Sequence, residues 1–313
     1  MDVIDLRFVD GFLVGHAEDR EAGTGCTAVL TPAGASASVY TPGFAPGSRE
    51  TALLRPESSP QEIHGLLLAG GSAFGLSAAS GIVRFLREQG VGLDTGAIRV
   101  PLVPGAVIYD YPGNKSQGLL PDEDMGYRAA RAAGGKACMR GPHGAGVSAR
   151  SGKIGGHERS SPSGIGSAGM TDDGLQLAAL AVVNPLGSVV DPADGRIVSG
   201  LRRPDGSLAS HGEILAAVKD AAGRMGDGAP GHTVLVVVGT NARLDKLGAF
   251  RVSRMAAAGI ARAIFPAHLL FDGDTLFTLA SNTGPVVDVN VLGAYAAQIT
   301  AQAVLDAACS AGA

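Results

Sequence analysis

The sequence is poor in the residues that build disulfide frameworks, metal centres and nucleic-acid surfaces. It has only 3 cysteines in 313 residues, and they are too scattered for a disulfide framework or a metal site: Cys26, Cys138 and Cys309. Tryptophan is absent, charged residues make up 17% and the formal net charge is -4. With no basic stripe, nothing favours nucleic acid as a partner. We expect no metal and no cofactor.

Long apolar runs are absent as well. The longest, residues 177–183, stops at Asn184-Pro185 and is too short to span a membrane. The N-terminus is acidic and lacks a basic stretch followed by an apolar one, as a secretory signal would have. We therefore expect a soluble, cytoplasmic protein with no membrane partner.

Hydrophobic residues and glycines are abundant. Hydrophobic residues make up 45% of the chain, enough for a substantial core, and its 47 glycines favour tight turns and close backbone contacts. No charged or low-complexity linker interrupts the chain, which favours one domain over residues 1–313.

Apolar patterning predicts alternating strands and helices. Strands are expected at 11–16, 25–41 with a turn at Pro32-Ala33-Gly34, 106–109, within 164–190, from 233 and at 275–280. Helices are expected at 73–89, 121–133, 211–224, 244–263 and the C-terminus, and a loop at 41–56.

Thr233 begins a β-branched run that ends at Thr240 and follows a glycine- and proline-containing loop at 224–230. One interpretation is that threonine simply starts a strand well. The other is that the bond between His232 and Thr233 is cut, so that the new α-amine can deprotonate the Thr233 hydroxyl. Nothing local decides between them.

Two further groups could form a site. Gly70, Gly71 and Ser72 precede a helix, where free backbone N–H groups could hold a carbonyl oxygen or a carboxylate. Their spacing does not match a dinucleotide-binding motif, and Ser72 lacks the G-x-S-x-G elbow of a nucleophile. Asp272 and Asp274 flank Gly273 as turn residues or as a catalytic pair.

Other positions are ambiguous when taken one at a time. The amide of Asn184, at a strand end before proline, can point into a cleft. Lys153 lies in a glycine- and serine-rich loop, where an isolated lysine is usually solvated. Tyr109 could line a cleft or pack in the core.

Seven ordered blocks carry a resemblance to a known family. They lie at residues 21–27, 68–76, 106–110, 151–153, 182–187, the Gly-His-Thr junction at 231–233 and 271–277. Across nearly the whole chain the sequence resembles the self-processing amidases that include the L-aminopeptidase/D-amidase (DmpA-like) enzymes, and most closely the nylon-oligomer hydrolases. The resemblance implies an α/β fold of the Ntn type, a four-layer αββα sandwich, and a homo-oligomer, expected to be a tetramer of αβ units.

The resemblance also implies roles for the ambiguous residues. Thr233 is the expected nucleophile, and a cut after His232 would give an α chain of 1–232 and a β chain of 233–313. Lys153 would lower the pKa of the new amine, and Asn184 would donate to the oxyanion, with the N–H groups of 70–72 and Tyr109 lining the cleft. The two aspartates, Asp272 and Asp274, would hold the amine and the hydroxyl. Close relatives have Asn where this chain has His232, yet processing is still expected.

The expected function is hydrolysis of small peptide-like or aminohexanoate-type amides through an acyl-threonine intermediate. Two alternatives stay open. One is acyl transfer to an amine through the same intermediate, and the other is an unprocessed binding protein without catalysis.

Overall fold

The computed structural model describes residues 4–111, 120–134, 139–222 and 231–312. The loop predicted at 224–230 and one of the three cysteines, Cys138, lie outside these residues. The strands are β1 Leu13–Asp19, β2 Thr24–Tyr40, β3 Gly47–Arg49, β4 Glu62–Ala69, β5 Leu93–Asp94, β6 Arg99–Val100, β7 Gly105–Val107, β8 Arg150–Ser151, β9 Ser161–Pro162, β10 Ile165–Asp172, β11 Leu175–Asn184, β12 Ser188–Val190, β13 Ile197–Ser199, β14 Thr233–Thr240, β15 Ile264–Phe265 and β16 Thr275–Ala280. The helices are α1 Ser72–Gly75, α2 Ala78–Glu88, α3 Glu123–Arg131, α4 His211–Ala222, α5 Lys246–Ala263 and α6 Val289–Cys309.

Strand β2 runs through both layers of the main sheet. Its first half pairs with β1 on one side and β4 on the other, and its last residues pair with β16. Beyond β16 the same sheet continues through β14, β11 and β10, while β4 leads to β7 and β3. One long strand therefore joins the two layers.

The predicted hairpin turn at Pro32-Ala33-Gly34 was wrong. The chain does not reverse there, and the pairing of β2 with β4 shifts register between Leu30 and Ala35. Proline lacks an N–H for the ladder and Gly34 has φ +89°, so the strand bulges rather than ends. Pairing with β16 keeps the second half extended.

The side chains of β14 pack into a different apolar core on each face of the sheet. Val234, Val236 and Val238 pack with α5 and α6, whereas Leu235 and Val237 face the other sheet layer. A third cluster lies between the other layer and helices α2 and α3. Three apolar cores between four layers confirm the predicted αββα arrangement.

The helix predicted at 73–89 is two helices. α1 ends at Gly75, and α2 begins at Ala78. The helix predicted at 121–133 is confirmed as α3, whose N-cap Asp122 accepts a hydrogen bond from the Met125 amide. In the part of the chain that is described, no helix is long and apolar enough to cross a membrane.

Helices α2 and α3 pack with their backbones in contact. A Cβ on Gly81 would clash with the Glu123 carbonyl oxygen, and a Cβ on Gly126 would clash with the Ala78 carbonyl oxygen. Backbone atoms cannot yield as a flexible side chain does. The two glycines therefore set the distance between these helices.

We expect G81A to lower the free energy of unfolding by about 1–3 kcal/mol, the usual cost of overpacking. The control is G212A in α4, because a Cβ there would meet no atom within 4 Å. That variant should gain about 0.5–1 kcal/mol from the better helix propensity of alanine. Urea unfolding measures both, and equal effects of the two variants would contradict the close contact.

Candidate active site

Thr233 is the first residue of β14, as the sequence predicts. It lies opposite Asn184, the last residue of β11, and only 5% of its surface is exposed. The preceding residue, His232, forms an isolated parallel bridge with Asp272. Thr233 thus sits where the ends of β11 and β14 meet the turn that leads into β16.

The two carbonyl groups before Thr233 are held by hydrogen bonds. The His232 carbonyl oxygen accepts the Gly273 N–H at 2.7 Å. The Gly231 carbonyl oxygen accepts a hydrogen bond from Lys153 Nζ at 2.8 Å. Gly231 has φ +74°, and a Cβ there would clash with the Tyr109 side chain. The segment 231–233 is therefore fixed from several sides.

Gly273 leaves space for the threonine hydroxyl. A Cβ at this position would lie 2.6 Å from Thr233 Oγ1 and 2.7 Å from the Ala45 carbonyl oxygen. Both distances are shorter than real Cβ contacts. The Thr233 hydroxyl and the Gly273 N–H that binds the His232 carbonyl oxygen therefore lie in one small space.

The two aspartates are buried and have different partners. Asp274 Oδ1 accepts the Val234 N–H at 2.7 Å, and Asp274 Oδ2 lies 2.7 Å from His268 Nδ1. Asp272 Oδ2 accepts the Leu269 N–H at 2.6 Å. Asp272 Oδ1 is buried without a hydrogen-bond partner among the described residues. Burial, followed by the negative charge of Asp274, raises the pKa of Asp272.

Lys153 brings a cation of reduced basicity to this site. Burial lowers the pKa of its ammonium to about 7, although the carboxylates of Asp272 and Asp110 act in the opposite direction. Burial and the nearby Lys153 lower the pKa of His232 to about 2, so its imidazole is neutral. At neutral pH an appreciable fraction of Lys153 is therefore an uncharged amine, able to accept a proton.

The Asn184 side chain joins two backbone groups. Its Nδ2 donates to the Tyr109 carbonyl oxygen at 3.0 Å, and its Oδ1 accepts the Arg150 N–H at 3.1 Å. Its predicted donation to an oxyanion would use the second Nδ2 hydrogen and stays a prediction. Tyr109 contributes its carbonyl and the ring face that packs on Gly231.

The expectation of free N–H groups at 70–72 was wrong. The Gly70 N–H donates to the Gly25 carbonyl, the Gly71 N–H to Asp110 Oδ1 and the Ser72 N–H to the Ile108 carbonyl. The local pattern gave no sign of these distant partners. The backbone N–H bound to the carbonyl before Thr233 is instead that of Gly273.

Two further residues belong to this site, although no motif in the sequence singles them out. Asp110 is buried, accepts hydrogen bonds from Gly71 N and Thr24 Oγ1, and raises the pKa of Lys153 by its charge. His268 contacts Asp274. Asp110 lies within the 106–110 block and His268 six residues before Asp274, so their only signal was proximity to matched motifs.

Cys26 lies in the core, away from this site. Burial raises the pKa of the Cys26 thiol to about 12, and the residue packs in the core beside α2 and α3. No group of three or more His, Cys, Asp or Glu residues is arranged to hold a metal ion in residues 4–111, 120–134, 139–222 and 231–312.

Comparison by sequence gives matches along the whole chain. A model described as peptidase family S58 matches residues 5–313. An uncharacterized aminopeptidase from Mycobacterium tuberculosis is 38% identical over 324 residues, which cover 95% of this chain and 91% of that protein. A 6-aminohexanoate-oligomer endohydrolase from Kocuria sp. is 31% identical over 325 residues, which cover 97% of this chain and 86% of that protein.

Comparison by structure finds the same fold. An L-aminopeptidase D-Ala-esterase/amidase from Ochrobactrum anthropi, described as a variant of the Ntn hydrolase fold, matches with a TM-score of 0.73 at 16% identity. A β-aminopeptidase from Burkholderia sp. matches with a TM-score of 0.70 at 18% identity. Each match covers 98% of this chain and 86% of the other. At such identities the likeness concerns the fold.

The charges around Lys153 predict how its pKa responds to substitution. We expect D110N to lower the pKa of Lys153 below about 7, because it removes a negative charge that stabilises the ammonium. Asparagine can still accept the Gly71 N–H. NMR titration of lysine Cε, on protein that also carries T233A so that the 232–233 bond stays intact, measures the shift.

D245N is the matched control for this titration. Asp245 caps α5, and asparagine caps helices equally well, so the pKa of Lys153 should stay unchanged. An unchanged Lys153 pKa in D110N, or a higher one, would contradict the assigned coupling.

Proposed function

The chain belongs to peptidase family S58, and from this premise we propose that it is a self-processing amidohydrolase whose nucleophile is the Thr233 hydroxyl. As a member of this family it is a hydrolase of amide or peptide bonds. The finer proposal is that the chain cuts its own bond between His232 and Thr233. The products would be an α chain of residues 1–232 and a β chain of residues 233–313.

One observation carries the proposal. The carbonyl of the bond to be cut accepts a 2.7 Å hydrogen bond from Gly273, and the hydroxyl of the next residue lies in the same space. An amide N–H that already binds a carbonyl oxygen also stabilises the negative charge formed there during attack. This arrangement supports attack by Thr233 on the His232 carbonyl.

Cleavage of the bond between His232 and Thr233 needs no reagent other than water. Thr233 Oγ1 bonds to the His232 carbonyl carbon, its proton passes to the neutral form of Lys153, and the negative charge develops on the oxygen held by Gly273. The carbon–nitrogen bond then breaks, and the proton returns to the leaving nitrogen. Water opens the resulting ester, which yields the His232 carboxylate, the Thr233 hydroxyl and a new α-amine.

In the mature enzyme the new α-amine would act as the base. Its reference pKa of about 7.7–8.0 lies close to neutrality, and the Lys153 cation lowers it further. Asp272 Oδ1, which is buried and has no hydrogen-bond partner among the residues that the structure describes, is suited to accept a hydrogen bond from this amine. A substrate amide would then acylate Thr233, and water would release the product.

The substrate class follows from the relatives. We propose small peptide-like amides, with aminohexanoate-type oligomers among them because a 6-aminohexanoate-oligomer endohydrolase is 31% identical. Homo-oligomerisation and a cytoplasmic location stay predictions.

The intact mass of the denatured protein tests self-processing. We expect the wild type to give two fragments that divide between His232 and Thr233, and T233A to remain one inactive chain. T233S should still be cut, since serine keeps the hydroxyl. A wild-type chain that stays whole yet hydrolyses amides would refute the proposal.

Substitution of Gly273 tests the geometry. We expect G273A to slow self-cleavage by about 100-fold, because the added Cβ displaces the hydroxyl by a fraction of an ångström to 1 Å. G212A, in the uncrowded helix position described above, is the control for a glycine-to-alanine change. Time-resolved mass measurement after cell-free synthesis gives both rates, and a wild-type rate in G273A would show that the hydroxyl is not confined there.

A further inference from the structure

His268 contacts the site from the segment between β15 and β16. Its Nδ1 lies 2.7 Å from Asp274 Oδ2, and its side chain is 23% exposed whereas that of Asp274 is 3% exposed. A ring nitrogen this close to a carboxylate oxygen is the donor when the carboxylate is ionised. The ring therefore covers one oxygen of a buried carboxylate and keeps one edge towards solvent.

A short series of contacts joins His268 to the nucleophile. Asp274 Oδ2 meets the ring, while Asp274 Oδ1 accepts the N–H of Val234, the residue that follows Thr233. A rotation of this carboxylate would break both hydrogen bonds together. The orientation of Asp274 thus determines where the first peptide of β14 lies.

The residue after His268 serves the second carboxylate. The Leu269 N–H donates to Asp272 Oδ2 at 2.6 Å. Two consecutive residues therefore supply one donor to each aspartate of the Asp-Gly-Asp turn.

The backbone of His268 is in an unfavourable conformation. Its φ is +55°, in the left-handed region that non-glycine residues uncommonly adopt, although histidine enters it more often than most. Such a conformation persists only where surrounding contacts hold it, and such residues concentrate at functional sites. Here those contacts include the two donations to Asp274 and Asp272.

We propose that His268 is a positioning residue for the Thr233 nucleophile, because its ring orients the Asp274 carboxylate that fixes the start of β14. The inference rests on the proposed role of Thr233. The ring does not touch the bond to be cut. It holds the Asp274 carboxylate in line with the Val234 N–H, so that the strand end that carries the Thr233 hydroxyl keeps its place beside Gly273.

The ring faces two carboxylates. Asp274 is its direct partner, and Asp272 is the second, whose pKa the charge of His268 lowers. Loss of the ring would remove the hydrogen bond to Asp274 Oδ2 and leave the carboxylate held through Oδ1 by the Val234 N–H.

The test uses the rate of self-cleavage, which requires no knowledge of the substrate. H268G removes the ring and relieves the left-handed backbone, so misfolding from strain is not introduced. We expect its cleavage rate to fall by about 100-fold. Free imidazole in the buffer should restore the rate, since the site of the missing ring is partly exposed to solvent.

A second variant separates positioning from bulk. H268N tolerates the left-handed conformation and keeps an N–H donor, so it should retain more activity than H268G without imidazole. H143G is the matched control, because His143 Nδ1 also contacts a carboxylate, that of Glu18, and its side chain is equally 23% exposed. It should cleave as the wild type does and be insensitive to imidazole.

Each result decides the matter. A wild-type rate in H268G would overturn the inference, and so would a slow H268G that imidazole does not rescue. If H268G gives either result while T233A abolishes cleavage, the proposed nucleophile stands and only the role of His268 falls. If T233A is still cut, the proposed function itself fails.

Discussion

At the start of β14, the Asp274 carboxylate makes the hydrogen bond that a neighbouring strand would otherwise make, and the site depends on this contact. The regular pairing of β14 with β16 begins at Leu235 and Thr275, so the two residues before Leu235 lie beyond the ladder. Asp274 Oδ1 satisfies the Val234 N–H there, and Gly273 N–H satisfies the His232 carbonyl. An unpaired buried amide would cost about 1–3 kcal/mol, so this substitution holds the strand end in place. Every other contact of the site is built around that fixed end.

Burial acts on both charged groups of the site. It lowers the pKa of Lys153 to about 7 and raises that of Asp272. The charged form of each group is therefore less favoured than in water. Asp110 adds a negative charge that acts against the effect of burial on the pKa of Lys153. An amine whose pKa lies near neutrality is suited to take up and release a proton near pH 7.

The sequence predicts what is local or carried by a motif, and it fails where distant partners decide. The apolar runs of β11 and β14 have no alternative to a buried strand, and the family blocks single out Thr233 and the aspartate pair. The Pro32-Ala33-Gly34 signal is a good turn signal, yet pairing with β16, over 200 residues away, overrides it. The N–H groups of Gly70–Ser72 were expected to be free because N–H groups at the start of a helix have no partner within it. Asp110 and His268 gain their importance only when folding brings them to the site.

The strand order has a consequence for the energetics of the cut protein. Strands β14 and β16 lie side by side between β11 and β2, and helices α5 and α6 pack on the same layer. A break before Thr233 would leave two chains that share one sheet, each burying the apolar surface of the other. Unfolding would then release two molecules instead of one, so the melting temperature would rise with protein concentration, whereas that of the uncut chain would not. If the chain folds before it is cut, the two parts need not find each other by diffusion. The cut protein would be a heterodimer that reassembles slowly once its parts are separated.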